Sequence, residues 1–212
     1  MDEKLIRLLA WLSPAFPTGG YAYSHGLEWA VECGDITDGT SLGAWLSDVL
    51  EHGSGRSDAI LLRHAHRDGA DIEWLNEIAA AIAPSRERRA ETLDQGTAFA
   101  AAAAAWQPPD LPERVAYPLA VAALARRHGI DEDATTAAYL QAVVVNLISA
   151  AVRLVPLGQS VGLRVLAGLE TFILRVTAES RDATLDDLGG CAFRSDLASM
   201  YHETQYTRLF RS

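Results

Sequence analysis

Apolar residues recur at helical spacing along most of the chain, and this period restricts the fold more than any other feature. The first stripe consists of Leu5, Leu8, Leu9 and Leu12. Separations of three and four residues bring these side chains onto one face of an α-helix. No segment alternates apolar and polar residues as a half-buried strand does. The sequence therefore predicts an all-α protein, a single-domain orthogonal bundle of roughly eight to ten helices over residues 1–212.

Proline, glycine and capping residues divide this pattern into separate helices. Predicted helices cover residues 5–12, 24–31, 41–52, 57–67, 72–83, 85–106, 117–128, 131–154 and about 161–173. The helix over 131–154 is apolar on nearly every face, which predicts that it is the central helix. Ser24 is predicted to cap the short second helix.

Composition excludes several classes of protein. The 212 residues include 18 Lys+Arg and 28 Asp+Glu, a formal net charge of −10, and an acidic chain is a poor general binder of nucleic acid. Lys4 is the only lysine, so the chain lacks a Walker-type phosphate loop, which requires one after its glycines. No apolar run approaches the roughly 18 residues of a membrane span, and two cysteines indicate a reducing compartment. We expect a cytoplasmic protein without membrane or nucleic-acid partners.

Two segments outside the predicted helices are rich in aromatic residues. Residues 14–23, PAFPTGGYAY, form a Pro/Gly-rich loop. The tail, residues 202–212, combines aromatic, apolar and basic side chains: Tyr206, Arg208, Leu209, Phe210 and Arg211. Two interpretations of the tail stand, because chain ends are usually polar and loose. Either Leu209 and Phe210 dock on the protein's own core, or the segment orders fully only on a partner.

The residues predict neither a catalytic set nor a metal site. Ser24 lies in Tyr-Ser-His-Gly, which resembles a nucleophile elbow, but Ala22 replaces the first glycine and no strand precedes it. His64 and His66 are two residues apart on a predicted helix, so their side chains point about 200° apart. The other histidines and the cysteines are scattered singly. We therefore predict no cofactor and no intrinsic metal ion.

Two charged positions have both a structural and a functional interpretation. Arg153 stands at the end of the 131–154 helix, where a cation complements the helix dipole by about 0.3–1 kcal/mol. The alternative is that Arg153 is displayed to a partner. Glu28 belongs to an acidic cluster with Glu32 and Asp35, which forms either a solvated helix face or a docking patch.

Four stretches of the chain together resemble the urease accessory protein F (UreF) family. They are SPAFPTGGYAYSHGLEWAVE (13–32), RERRAETLDQG (86–96), RLVPLGQ (153–159) and HETQYTRLFRS (202–212). Their order, their spacing and the total length match the family's pattern, so the resemblance covers essentially the whole chain. The first and last motifs are long and therefore specific.

The resemblance implies a function. Members of this family are all-helical, non-enzymatic chaperones of nickel urease maturation. They form homodimers, bind the accessory protein D (called H in some organisms), and recruit the GTPase accessory protein G. The assembly delivers nickel into apo-urease, with a carbamylated lysine formed. The alternative is a GTPase-activating regulator that supplies an arginine to protein G; a Ser24-dependent hydrolase and a nickel-storage protein are the other classes left open.

The resemblance also implies roles for individual residues. The segment that becomes ordered against protein D/H corresponds to Tyr206, Arg208, Leu209, Phe210 and Arg211. The surface that meets the GTPase includes an acid and a cation, which correspond to Glu28 and Arg153; some relatives carry Lys at the second position, which keeps the charge but changes donor geometry. The loop residues with the rigidity and special dihedral angles of a recognition surface are Pro14, Pro17, Gly19, Tyr21 and Tyr23.

Overall fold

The computed structural model describes residues 3–212, in which helices are joined by turns and loops. Its ten α-helices are α1 (Glu3–Trp11), α2 (Leu27–Glu32), α3 (Gly39–His52), α4 (Ser54–His66), α5 (Ile72–Ala81), α6 (Arg86–Ala102), α7 (Tyr117–Arg127), α8 (Glu132–Leu154), α9 (Gln159–Glu179) and α10 (Phe193–His202). Short 3₁₀ segments lie at Gly20–Ala22, Ala103–Trp106 and Leu185–Asp187. Residues 3–212 contain no strand, so the all-α prediction is confirmed.

Local sequence explains where most of the long helices begin. Capping side chains that accept a hydrogen bond from a first-turn N–H precede α3, α5, α6 and α8; they are Asp38, Asp71, Ser85 and Asp131. These bonds satisfy main-chain donors that lack a partner within the helix. The helix α2 begins at Leu27 rather than at Ser24. Even so, the Ser24 hydroxyl accepts from the Glu28 N–H at 3.3 Å, so Ser24 still supports the start of α2.

Helix α8, which was predicted to be central, packs against α2, α3, α4, α7 and α9, but the most buried helix is α7. Every residue from Pro118 to Ala125 is buried, and α4, α6 and α8 pack around this helix. In α8, only 39% of the most apolar 18-residue window is buried. That window is nevertheless long and apolar enough to span a membrane, a property that core helices of soluble proteins share. The expectation that no apolar run has this length is therefore wrong. Periodicity shows which faces are apolar but not which of them become covered.

A single hydrophobic cluster includes side chains from every helix, α1 to α10. Trp11 at the end of α1 packs edge-to-face on Trp106, with 5.9 Å between ring centroids. Phe16 in the following loop packs on Phe99 of α6 at 5.3 Å. These aromatic contacts fix both the end of α1 and the start of the loop over α6.

Gly96 allows α6 and α7 to approach closely. A Cβ at this position would lie 2.0 Å from the Val115 carbonyl oxygen and 2.6 Å from the Tyr117 nitrogen. Because both are main-chain atoms, Gly96→Ala is expected to lower the free energy of unfolding by about 2–3 kcal/mol, measured by urea denaturation. The control is Gly168→Ala on α9, where a Cβ meets nothing within 4 Å, and it should gain up to about 1 kcal/mol. Equal effects of the two substitutions would contradict the packing argument.

Candidate protein-interaction surface

The loop, the end of α8 and the tail meet at one place. Arg153, in the last turn of α8, donates from Nη2 to the Tyr21 carbonyl oxygen at 2.8 Å. Its guanidinium also stacks on the Phe210 ring, 4.4 Å from the centroid. One arginine therefore joins all three predicted segments. We call residues 14–23, Arg153 and residues 206–212 the loop–tail surface.

Main-chain hydrogen bonds fix the tail to the segment before α2. The Ser212 carbonyl oxygen accepts from the Ser24 N–H, and the Arg211 N–H donates to the Ala22 carbonyl oxygen, both at 2.8 Å. The Ser212 hydroxyl donates to Glu91 Oε2 at 2.5 Å. The Phe210 side chain is only 5% exposed. Phe210 therefore docks on the protein's own core, as the first of the two interpretations describes, whereas Leu209 is 66% exposed.

Glu28 is buried rather than displayed. Its Oε1 accepts from the Leu209 N–H at 2.6 Å and its Oε2 from the Phe210 N–H at 2.9 Å. The neighbouring acids Glu32 and Asp35 are exposed. The carboxylate of Glu28 thus organises the tail main chain, and a direct contact between this carboxylate and a partner requires the tail to leave.

The predicted recognition loop divides into an outer and an inner part. Pro14, Pro17 and Tyr21 are exposed, and Gly19 supplies the turn between them with φ +74°, a left-handed conformation that favours glycine. Tyr23 is only 4% exposed. Burial has the largest effect on the pKa of the Tyr23 hydroxyl and raises it. This hydroxyl donates a hydrogen bond to Asp94 at 3.3 Å. Tyr23 therefore supports the loop from beneath and lies outside the exposed part of the surface.

Close packing of α10 on α2 brings the tail to its place. A Cβ on Gly26 would lie 2.7 Å from the Ser199 nitrogen, and Gly26 has φ +79°, so this contact requires glycine on two grounds. Trp29 of α2 stacks on Tyr201 of α10 with 5.3 Å between ring centroids. The end of α10 therefore lies against α2, beside Glu28.

Large apolar side chains are also exposed on α10, the helix that precedes the tail. The exposed ones on this helix are Phe193 (70%), Leu197 (48%), Met200 (45%) and Tyr201 (53%). Spacings of four and three residues place them on one helix face. Tyr206 is fully exposed and Leu209 is 66% exposed. Sequence reasoning missed the α10 row, although its helical spacing is visible in the sequence.

A cavity of about 400 Å³ lies beneath the loop, and its wall carries buried charged groups. His25 bonds Glu91 Oε1 through Nδ1 at 3.1 Å and the Ser54 hydroxyl through Nε2 at 2.9 Å. Burial and then Arg88 lower the pKa of His25, which favours the neutral ring. Burial also opposes ionisation of Glu91, but Arg88 and His25 outweigh it and hold the pKa of Glu91 below its ordinary value. The charged side chains of the wall are thus paired with one another, and this network supports the loop.

Asp58 on the same wall gives the protein a predicted pH dependence. Burial raises the pKa of Asp58 to about 6, although the Tyr139 hydroxyl donates to it at 2.7 Å. The unfolded pKa is about 3.9, so the fold binds this proton more tightly, and stability is lost as the pH rises from about 4 to 6. Asp58→Asn should therefore gain about 1–2 kcal/mol at pH 8 and nothing at pH 4, measured by urea unfolding. The same gain at both pH values would contradict this account.

The described residues do not bring metal ligands together. Within residues 3–212, no group of three or more His, Cys, Asp or Glu side chains is placed to hold a metal ion. His64 Nε2 faces the Ala183 carbonyl oxygen at 3.2 Å, whereas His66 Nε2 faces that of Ile130 at 3.0 Å. The two rings therefore point to different neighbours.

Comparison with known proteins supports the resemblance found in the motifs. Residues 36–170 match the UreF family model. Urease accessory protein UreF of Methylorubrum populi is 51% identical over 98% of this chain and 98% of its own length. The UreF proteins of a Bradyrhizobium species and of Xanthobacter autotrophicus are each 52% identical, over 98% and 99% of this chain and 92% and 91% of their own lengths. The chain belongs to the UreF family of urease accessory proteins.

Proposed function

We propose that the chain is a non-enzymatic urease accessory protein that forms a scaffold with protein D/H and recruits the GTPase protein G for nickel insertion into apo-urease. The observation that carries this proposal is the loop–tail surface, where exposed aromatic, apolar and arginine side chains meet on a framework of buried hydrogen bonds. Such a composition is typical of protein interfaces. We place the activity in the cytoplasm, since Cys33 and Cys191 are free thiols.

We assign the tail and the exposed face of α10 to protein D/H. Tyr206 and Leu209 are exposed, and so is the apolar row of α10. Large exposed apolar patches on a folded protein mark interaction sites. Phe210 and Ser212 are buried and anchor the segment. These anchors restrict the conformations of the tail, which reduces the entropic cost of binding.

We assign the loop side of the surface, with Arg153, to the GTPase. Arg153 and Tyr21 are exposed side by side, and arginine and tyrosine are the residue types most often found at interface hot spots. Glu28 contributes indirectly, because it holds the main chain of Phe210 beneath Arg153. A partner that shifts the tail also shifts the support of Arg153, so the two binding steps are coupled and each affects the other equally.

A second copy of the chain accounts for the open face of α8. Ala138, Ala142 and Val145 follow one another at helical spacing and are only half-buried in the single chain, where Ala142 and Val145 also line the cavity beneath the loop. Covering them with the same face of a second copy removes apolar surface from water on both sides of a two-fold axis. A homodimer of this kind presents each loop–tail surface twice. It can then hold two D/H proteins and two GTPases.

One observation favours the alternative of a GTPase-activating regulator, namely the exposed guanidinium of Arg153. To reach a nucleotide, this group must give up both the Tyr21 carbonyl oxygen and the Phe210 ring. We therefore prefer a scaffold that gates GTP hydrolysis until the correct complex has formed.

Copurification followed by urease activation tests the proposal. Protein D/H, the GTPase and apo-urease are combined with nickel, bicarbonate, GTP and Mg²⁺, with and without this chain, and urease activity is measured. We expect activation only when the chain is present, and light scattering of its complex with D/H should give a mass containing two copies of the chain. Equal activation without the chain contradicts the accessory role, whereas a mass with one copy contradicts the homodimer.

A further inference from the structure

A buried histidine lies between the two carboxylates that hold the tail. His202 is the last residue of α10, and its side chain is completely buried. Its Nδ1 lies 2.6 Å from Glu87 Oε2, and its Nε2 lies 3.2 Å from Glu28 Oε2. The helices α10, α6 and α2 each contribute one member of this triad.

Both ring nitrogens of His202 face carboxylate oxygens. A neutral imidazole has one N–H, so its other nitrogen would direct a lone pair at a carboxylate oxygen. The imidazolium has two N–H groups and donates to both acceptors. This geometry therefore selects the cationic ring.

The charges around the triad lead to the same conclusion. Glu28 and Glu87 are balanced when His202 is cationic, because Arg208 supplies the second positive charge through a 2.6 Å contact between its Nη1 and Glu87 Oε1. A neutral ring would leave one poorly solvated carboxylate without a compensating cation, which is costly. The next charged group on the chain, Glu203, is paired with Arg86 of α6 at 3.3 Å.

Each carboxylate of the triad also binds the tail directly. Glu87 binds the side chain of Arg208, and Glu28 accepts from the N–H groups of Leu209 and Phe210. A carboxylate binds several donors at once only when its orientation is fixed. The two bonds from His202 supply that orientation, because they join one carboxylate to the other through a rigid ring.

We infer that His202 is the positioning residue of the tail. As an imidazolium it orients Glu28 and Glu87 so that they hold the tail in the conformation that presents Tyr206 and Leu209. The role of this conformation in binding protein D/H rests on the proposed function. The contacts that create this conformation are independent of the proposed function.

The variant His202→Phe tests the inference in the isolated chain, because it keeps a planar ring and removes both N–H groups. Hydrogen–deuterium exchange of peptides covering 206–212 should become at least about tenfold faster, while far-UV circular dichroism is preserved. His66→Phe is the control: the His66 ring is also hydrogen-bonded, although it is only half-buried, and it faces Ile130, just before α8. That position is about 34 Å from Arg153 along α8, so tail exchange should not change.

The ring ¹⁵N spectrum of the unsubstituted protein is a second measurement and requires no variant. Because each ring nitrogen of His202 faces an acceptor, both should carry protons. A neutral tautomer overturns the inference, as does unchanged tail exchange in a folded His202→Phe variant. If this variant loses its helicity, the ring spectrum decides.

Affinity for protein D/H separates this inference from the proposed function. Faster tail exchange in His202→Phe together with at least about tenfold weaker D/H binding supports both. Faster tail exchange with unchanged D/H binding supports the positioning role of His202 and contradicts the assignment of the tail to protein D/H.

Discussion

Deleting residues 203–212 is expected to abolish binding of protein D/H while leaving the helical content of the chain unchanged. The deleted segment contains no helix, because α10 ends at His202. It does contain the exposed Tyr206 and Leu209 and the buried anchor Phe210. Isothermal titration calorimetry should show an affinity at least about 100-fold lower, and the far-UV circular dichroism spectrum should be preserved.

A matched double variant separates contact from stability in this experiment. The deletion also removes hydrogen-bond donors from the buried Glu28 and Glu91, which should cost about 2–3 kcal/mol of stability. Tyr206→Ala combined with Leu209→Ala leaves these bonds in place, since both side chains are exposed. This double variant should keep its stability and still lose D/H binding. Binding retained by both variants would contradict our assignment of the tail.

The helices were predictable because their signals are local. The start of α6 follows from Ser85, whose side chain accepts from the Arg88 N–H at 3.1 Å, and its long course follows from good helix-forming residues. The end of α8 lies just before Pro156, where the pre-proline restriction disfavours helix. Each of these signals involves residues only a few positions apart.

The burial of the site residues was not predictable, because it depends on distant segments. Glu28 is covered by Leu209 and Phe210, 181 and 182 positions further along the chain. The sequence neighbours of Glu28 indicate an acidic, solvated helix face. Glu28 is buried and accepts hydrogen bonds only because the tail docks over it. The sequence likewise shows Tyr23 only as an aromatic residue in a loop. Its hydrogen bond to Asp94 of α6 joins residues that are distant in the chain.

The complete burial of α7 was also not predictable from the sequence. Both α7 and α8 are apolar on most faces, and composition alone favours the longer helix. The shorter one is enclosed because alanines at positions such as Ala120 and Ala123 let neighbouring helices approach closely. The face of α8 that stays open is the one we assign to a second copy of the chain.

Arg153→Ala is expected to weaken recruitment of the GTPase but not binding of protein D/H. The substitution removes an exposed guanidinium that stacks on Phe210 and binds the Tyr21 carbonyl oxygen. The loss should be about 2–4 kcal/mol of binding free energy, measured as the affinity of the preformed complex with D/H for the GTPase. Binding of D/H should be nearly unchanged, because Glu28 still holds the tail through the Phe210 N–H.

Two further variants show how Arg153 acts. Arg153→Lys keeps the charge but loses the planar group that stacks on the ring, so an intermediate loss is expected if geometry and charge both contribute. Phe210→Leu removes the aromatic ring and leaves the guanidinium, so a loss equal to that of Arg153→Ala means that the ring orients the arginine for the GTPase. If Arg153→Ala recruits the GTPase with unchanged affinity, the partner assignment is contradicted. The remaining role of Arg153 is then structural: it binds the Ser149 carbonyl oxygen of its own helix at 3.2 Å and ties the loop to the end of α8.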